Sequence, residues 1–268
     1  RIVTLPMLKK LAIIFIAWCI IYVLPYNFTS IGEHGWLAPL KENYWRVKGL
    51  LAEPWVLVME GTLQLFWFLV ALMWGLAVTA LLARYKAVLA VVAFALFVVG
   101  CLGQAYIITP YGVHLPFNSR SGPFFSTLFF ATGYFLTVYK PDASWLWKGL
   151  ILLFAGYALH FAELYWIWSN YGPVKGDFVF GTYLVGLGVA VMALSSHRLL
   201  DCERVASLGK YTLGVYAVHY IFVENLLPVK EHWVSPVWEV LNVVLVFALS
   251  VGTAMLMAQN RYLKRIVM

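Results

Sequence analysis

The sequence predicts an all-α, polytopic membrane protein, a bundle of about eight transmembrane helices. Of its 268 residues, 63% are hydrophobic and only 12% are charged, and the mean hydropathy is +0.82. A soluble domain carries about 25% charged residues, so this chain has too few charges to cover a surface that faces water. Aromatic residues make up 17%, including 12 Trp and 16 Tyr, and these two types collect where hydrocarbon meets lipid headgroups. Lipid is therefore the expected solvent.

Eight segments are apolar enough to cross a bilayer, which takes about 20 residues with some tolerance on either side. Two of them, 124–139 and 212–227, are short. The chain shows no internal repeat and no linker, so we expect one transmembrane domain over residues 1–268. The predicted spans are 8–25, 63–82, 87–108, 124–139, 146–168, 178–195, 212–227 and 237–258.

The distribution of Lys and Arg predicts the orientation of these spans. With the N-terminus inside, 13 of the 19 cationic residues fall in cytoplasmic segments and 6 fall outside. This bias is the one that the positive-inside rule requires, and the even number of spans places both termini in the cytoplasm. The net charge of +7 then reflects loops that face anionic lipid. Since no basic run is interleaved with aromatic residues, we expect membrane lipid as a partner and no nucleic acid.

Ionisable residues inside the spans are candidate functional residues, because lipid penalises them. His160 and Glu163 are three residues apart, so they share a helix face. They form a proton-handling pair, line a substrate cavity or steady two helices, and the pattern leaves these alternatives open. Tyr216 and His219 have the same spacing in the seventh span. A lone His on an apolar face is more often a packing residue than a catalyst.

Two outer segments carry further candidates. The loop 109–123 contains His114 and Arg120, and Arg120 stands at the mouth of the fourth span. An arginine there is suited to clamping a phosphate or carboxylate with two donors, although it also suits contact with headgroups. The long loop 26–62 contains a stretch, 45–51, that is either an interfacial helix or an irregular loop. No metal site is predicted, since His160 and Glu163 have no third ligand at a compatible spacing.

Three segments, in order, resemble the acyltransferase-3 family of integral membrane acyltransferases. Residues 65–72 read LFWFLVAL and are similar to the Trp-Phe-Leu start of a middle helix in that family. The run SRSGPFF at 119–125, continued by ATGY at 131–134, resembles an Arg-x-Gly-x-Phe-Phe helix start that leads to a Gly-Tyr pair. Residues 207–219 read SLGKYTLGVYAVH and are similar to Gly-Lys-x-Ser-Leu-Gly-x-Tyr-x-x-His, with Thr212 where Ser is usual.

The resemblance implies a fold of about ten helices, of which the first two are missing from this sequence. It also implies that the catalytic base is a His on the first of them, so the catalytic residue is unknown within the chain. His219 is not proposed to replace that base. We therefore expect an N-terminally incomplete domain, and we expect these 268 residues alone to be inactive.

The implied activity is transfer of an acyl group, with acetyl expected, from cytosolic acyl-CoA to a hydroxyl of an outward-facing cell-surface glycan. The implied location is a bacterial inner or plasma membrane, and the co-substrate is acetyl-CoA without a metal. The residues expected to bind substrate or donor are Arg120, His114, Trp67, Glu163, Tyr216 and His219.

Two other classes of function stay open. A transporter or flippase of a lipid-linked sugar is favoured by the intramembrane His160 and Glu163, and is disfavoured by the lack of repeats and of paired broken helices. A non-catalytic membrane partner subunit is the third alternative.

Overall fold

The computed structural model describes residues 4–29, 31, 35–115, 117–197 and 202–268, and all regular structure in these ranges is helical. Arg1 and Arg198, which were counted for the orientation, lie outside the described residues. We number the helices in chain order: α1 (Thr4–Ile21), α2 (Ala38–Ala52), α3 (Pro54–Glu60), α4 (Trp67–Leu82), α5 (Lys86–Leu102), α6 (Pro123–Leu136), α7 (Trp145–Tyr171), α8 (Phe180–Leu194), α9 (Glu203–Leu208), α10 (Thr212–His232), α11 (Pro236–Met257) and α12 (Lys264–Val267).

Each predicted span overlaps one of these helices, which confirms the predicted fold class. Among the described residues, five helical stretches are long and apolar enough to cross a membrane: Thr4–Ile21, Gln64–Leu82, Trp145–Tyr171, Val205–Val229 and Pro236–Met257. Helices α5, α6 and α8 are shorter. Helix α5 ends at Leu102 rather than at 108, because the chain turns back and the amide of Val113 hydrogen-bonds the Leu102 carbonyl at 3.1 Å. The stretch 45–51 lies within α2, so it is helical.

The apolar side chains of the spanning helices mostly face outward. Only 11% to 33% of the residues in the most apolar windows of the five stretches are buried. In water, each square ångström of exposed apolar surface would cost about 25 cal/mol relative to burial. In hydrocarbon that cost disappears, while the helical hydrogen bonds satisfy the backbone. The chain is therefore an integral membrane protein.

The chain divides into two compact units. Unit 1 comprises Arg1–Lys9 and Trp67–Cys202, and unit 2 comprises Lys10–Phe66 and Glu203–Met268. The core of unit 1 is built around Phe97 of α5, which stacks on Phe178 with ring centroids 5.9 Å apart. Phe125 of α6 packs on the same Phe178 ring at 4.8 Å. The segment between α7 and α8 is thereby anchored in the core.

Helices α7 and α8 pack backbone to backbone through glycines. A Cβ at Gly156 of α7 would lie 2.5 Å from the amide nitrogen of Val185. A Cβ at Gly181 of α8 would lie 2.4 Å from the amide nitrogen of His160. Small residues allow membrane helices to approach this closely, and the association then rests on van der Waals contact. The contact fixes the start of α8 against the middle of α7.

This packing gives the first prediction. Gly156→Val should lower the free energy of unfolding by about 1–3 kcal/mol, because the added side chain forces the two helices apart. Gly252→Val on α11 is the matched control, since a Cβ there has open space around it. Thermal unfolding of both variants in lipid nanodiscs measures the difference. Equal unfolding temperatures would contradict the close contact of α7 with α8.

Unit 2 is held together by hydrogen bonds that involve α1 and Tyr22, the residue that follows it. The indole of Trp18 donates to the Ile266 carbonyl at 2.8 Å, and the Tyr22 hydroxyl donates to the Ala217 carbonyl at 2.8 Å. The hydroxyl of Thr62 donates to the Cys19 carbonyl at 3.1 Å. Trp18 and Tyr22 are buried, so both polar atoms need these partners. Helices α10 and α12 are thereby fastened to α1.

Candidate functional site

Arg120 is held in a buried turn just before α6. The turn Ser119–Ser121 is a short 3₁₀ helix that is capped by the Asn118 side chain, whose Oδ1 accepts from the Arg120 amide at 3.1 Å. The Ser119 hydroxyl donates to the Gly100 carbonyl at 3.1 Å. These bonds fix the backbone, so the Arg120 side chain starts from a defined position.

The guanidinium of Arg120 has one acidic partner and one aromatic partner. Nη1 lies 2.5 Å from Oδ2 of Asp177, and the side chains of Arg120 and Asp177 are 10% and 50% exposed. The guanidinium carbon lies 5.3 Å from the centroid of the Trp67 ring, which is within the range of a cation–π interaction. Among the described residues, Nε and Nη2 of Arg120 have no hydrogen-bond partner. This edge of the guanidinium therefore offers two parallel donors.

Asp177 is positioned by a network with Gln104. The Gln104 side chain accepts from the Asp177 amide at 3.1 Å and donates to the Asn118 side chain. Gly176 lies so close to the turn at Ala105 that a Cβ would come 2.3 Å from the Ala105 nitrogen. We name Gln104, Asn118, Arg120 and Asp177 the polar cluster. Its residues come from three segments of the chain, and hydrogen bonds and the Arg120–Asp177 ion pair hold them in contact.

Glu163 belongs to a second buried network in unit 1. Its Oε1 accepts from the Tyr106 hydroxyl at 2.5 Å and from the Phe180 amide at 3.2 Å, and its Oε2 accepts from the Gly181 amide at 2.7 Å. The carboxylate thus caps the N-terminus of α8, the end of a helix that favours negative charge. His160 contacts the Thr182 hydroxyl at 3.2 Å through Nδ1. Both residues therefore join α7 to the start of α8. These contacts agree with the alternative in which the two residues hold two helices together.

Of the other predicted site residues, Trp67 lies against the Arg120 guanidinium. His114 is exposed in the loop that leads to Arg120. Tyr216 and His219 belong to unit 2. The Tyr216 hydroxyl donates to the Leu65 carbonyl, and Nδ1 of His219 lies 2.6 Å from the Tyr216 carbonyl. Because a carbonyl only accepts, Nδ1 of His219 is the donor in this contact.

Sequence reasoning missed Gln104, Tyr106 and Asp177. Asp177 lies in a loop on the same predicted side of the membrane as Arg120. The opposite charges of these two isolated residues were the only sequence signal that pointed to Asp177. Gln104 and Tyr106 fall in what the sequence predicts to be the end of a transmembrane helix. Because α5 ends early, Gln104 joins the polar cluster and Tyr106 bonds to Glu163.

The helical fold and the buried polar cluster define an integral membrane protein with a candidate site for a polar substrate. Residues 7–258 match the model of the acyltransferase-3 family, which is described as an acyltransferase domain. The chain therefore belongs to the acyltransferase-3 family and to the broad class of membrane acyltransferases. No curated protein and no solved structure matches it.

Proposed function

We propose that the protein transfers an acetyl group from cytosolic acetyl-CoA to a hydroxyl of an outward-facing glycan. The family supports acyl transfer in a membrane. The proposed orientation, with both termini in the cytoplasm of a bacterial cell, rests on the distribution of Lys and Arg. In that orientation, the segments that carry the polar cluster face outside, where a glycan acceptor is located.

The reaction forms one bond and breaks another. The hydroxyl oxygen of the acceptor bonds to the acyl carbon, and the carbon–sulfur bond of the thioester breaks. The hydroxyl proton passes to a general base and then to the leaving thiolate, so the products are the ester and free CoA. Donors that face the developing oxyanion lower the barrier.

The observation that carries the proposal is the edge of the Arg120 guanidinium that is formed by Nε and Nη2. We call it the open edge because these two donors have no hydrogen-bond partner among the described residues. Nε and Nη2 are buried, are without a protein partner among the described residues and point in a fixed direction set by Asp177 and Trp67. A buried donor without a partner is costly, and a bound ligand is one way to satisfy it. We propose that this edge binds oxygen atoms of the acceptor, with His114 on the adjoining loop. Glu163 and, in unit 2, Tyr216 and His219 are proposed as further substrate contacts.

The test is the transfer of label. Membranes from cells that express the natural gene product are given acetyl-CoA labelled in the acetyl group, and the surface glycans are then isolated. We expect label to be bound covalently to a glycan and to be released by mild alkali, as an ester is. Acceptor that crosses the membrane without modification would instead indicate transport.

The transport alternative is not favoured by any specific contact, since His160 and Glu163 bond to residues at the start of α8.

A further inference from the structure

A polar cavity of about 200 Å³ lies within unit 2, apart from the polar cluster. Three walls enclose it: the segment 25–27, one face of α2 and two residues of α10. A water molecule takes up about 30 Å³ in the liquid, so the cavity holds several waters or one small ring. The lining residues are Pro25, Tyr26, Asn27, Pro39, Glu42, Asn43, Arg46, Tyr220 and Glu224.

The walls of the cavity are ordered by hydrogen bonds. The α2 residues occur at the spacing of one helix face. Asn225 ties the segment that ends α1 to α10, because its amide donates to the Tyr26 carbonyl at 2.7 Å and its Oδ1 accepts from the Phe28 amide at 2.9 Å. Arg46 donates to the Tyr22 carbonyl and to the Thr62 carbonyl, the latter at 3.2 Å. The cavity is thus built before any ligand arrives.

The lining offers both hydrogen-bond donors and hydrogen-bond acceptors. Glu42 and Glu224 supply carboxylates, and the Tyr220 hydroxyl bonds to Glu224. Arg46 lies over the Tyr26 ring at 5.0 Å. Burial raises the pKa of the Tyr26 phenol above its usual range, and the opposing effect of Arg46 is smaller. Because the pKa is raised, the hydroxyl stays neutral and can donate a hydrogen bond.

The combination of donors and acceptors in the cavity lining favours one chemical class of ligand. A phosphate accepts only and would be repelled by Glu42 and Glu224. An ammonium donates only, so it offers no acceptor to the Arg46 guanidinium or to the Tyr26 hydroxyl. A sugar hydroxyl both donates and accepts, and the face of a sugar ring packs on an aromatic ring such as that of Tyr220, which lines the cavity. A neutral ring that carries several hydroxyls is the ligand that meets all of these groups.

We propose that this cavity binds a single neutral sugar ring of the outward-facing glycan. The inference rests on the proposed function in one respect: it identifies the bound sugar as part of the glycan that accepts the acyl group. The binding itself needs neither an acyl donor nor the polar cluster of unit 1. Loss of acyl transfer therefore leaves the prediction of sugar binding unchanged, and the two are tested separately.

The experiment measures sugar binding in the absence of acetyl-CoA. The natural gene product in nanodiscs is titrated with glucose, galactose and N-acetylglucosamine, and saturation-transfer NMR reports the bound sugar. We expect millimolar binding of at least one of the three sugars, an affinity of about 4 kcal/mol. Ethanolamine and inorganic phosphate serve as probes for a headgroup site and should not displace the sugar.

Two variants locate the binding. Glu42→Ala and Glu224→Gln should each weaken it about tenfold, since a hydrogen bond to a charged group is worth about that much. Glu53→Gln is the matched control, because Glu53 is exposed and does not line the cavity. The proposal is overturned if no sugar binds, if both variants bind as the wild type does, or if ethanolamine or phosphate displaces the sugar.

Discussion

Replacing Arg120 by lysine should reduce acetyl transfer about 100-fold, which is the usual effect of removing an aligned donor from a reaction site. Lysine keeps the positive charge and can still reach Asp177, yet its ammonium is a point donor rather than a planar fork. It cannot present two parallel donors while it also pairs with Asp177. The loss is measured as labelled glycan formed per amount of folded protein in the membrane.

Asp177→Asn is the matched control for Arg120→Lys. The Asp177 side chain is half exposed, so its neutralisation should perturb the fold little. The asparagine can still accept from Nη1, so the open edge of Arg120 should keep its direction. We expect the transfer rate of Asp177→Asn to fall about tenfold, less than that of Arg120→Lys. Equal losses in the two variants would show that the ion pair matters and that the open edge does not.

The fold could be predicted from sequence because lipid imposes few solutions. Each apolar segment must satisfy its own backbone, and only a helix does so over a single segment. Hydropathy therefore located each of the five helical stretches that can cross a membrane among the described residues. The ends were less well predicted: α5 stops at Leu102 because the chain folds back at Gly103 and Gln104, and apolar residues such as Ile107 and Ile108 conceal that turn.

The candidate site was predicted only in part, because its contacts join residues that are distant in the sequence. Arg120 was conspicuous, since it is a cation on the predicted outer side, where few cations fall. Its partner Asp177 is distant in the sequence, and only the packing of Phe178 and Gly176 brings it into contact. The pair His160 and Glu163 was found by its spacing, yet spacing does not reveal that both residues bond to the start of α8.

Replacing Glu163 by alanine should lower the free energy of unfolding by about 3 kcal/mol, because three hydrogen bonds to a buried carboxylate are lost. The Tyr106 hydroxyl and the amides of Phe180 and Gly181 would be left without an acceptor. Tyr106→Phe removes one of the three bonds and should lower it by about 1 kcal/mol. Thermal and chemical unfolding in nanodiscs measure both values.

A further variant, Glu163→Gln, separates a structural role of Glu163 from contact with substrate. Glu53→Gln, on an exposed carboxylate, should stay within about 0.5 kcal/mol of the wild type. If the carboxylate only holds α7 to α8, Glu163→Gln loses transfer in proportion to the folded protein it loses. If the carboxylate also contacts substrate, the transfer rate per folded molecule falls further, while Tyr106→Phe leaves that rate unchanged. A stability for Glu163→Ala equal to that of Glu53→Gln would show that α8 does not depend on this carboxylate.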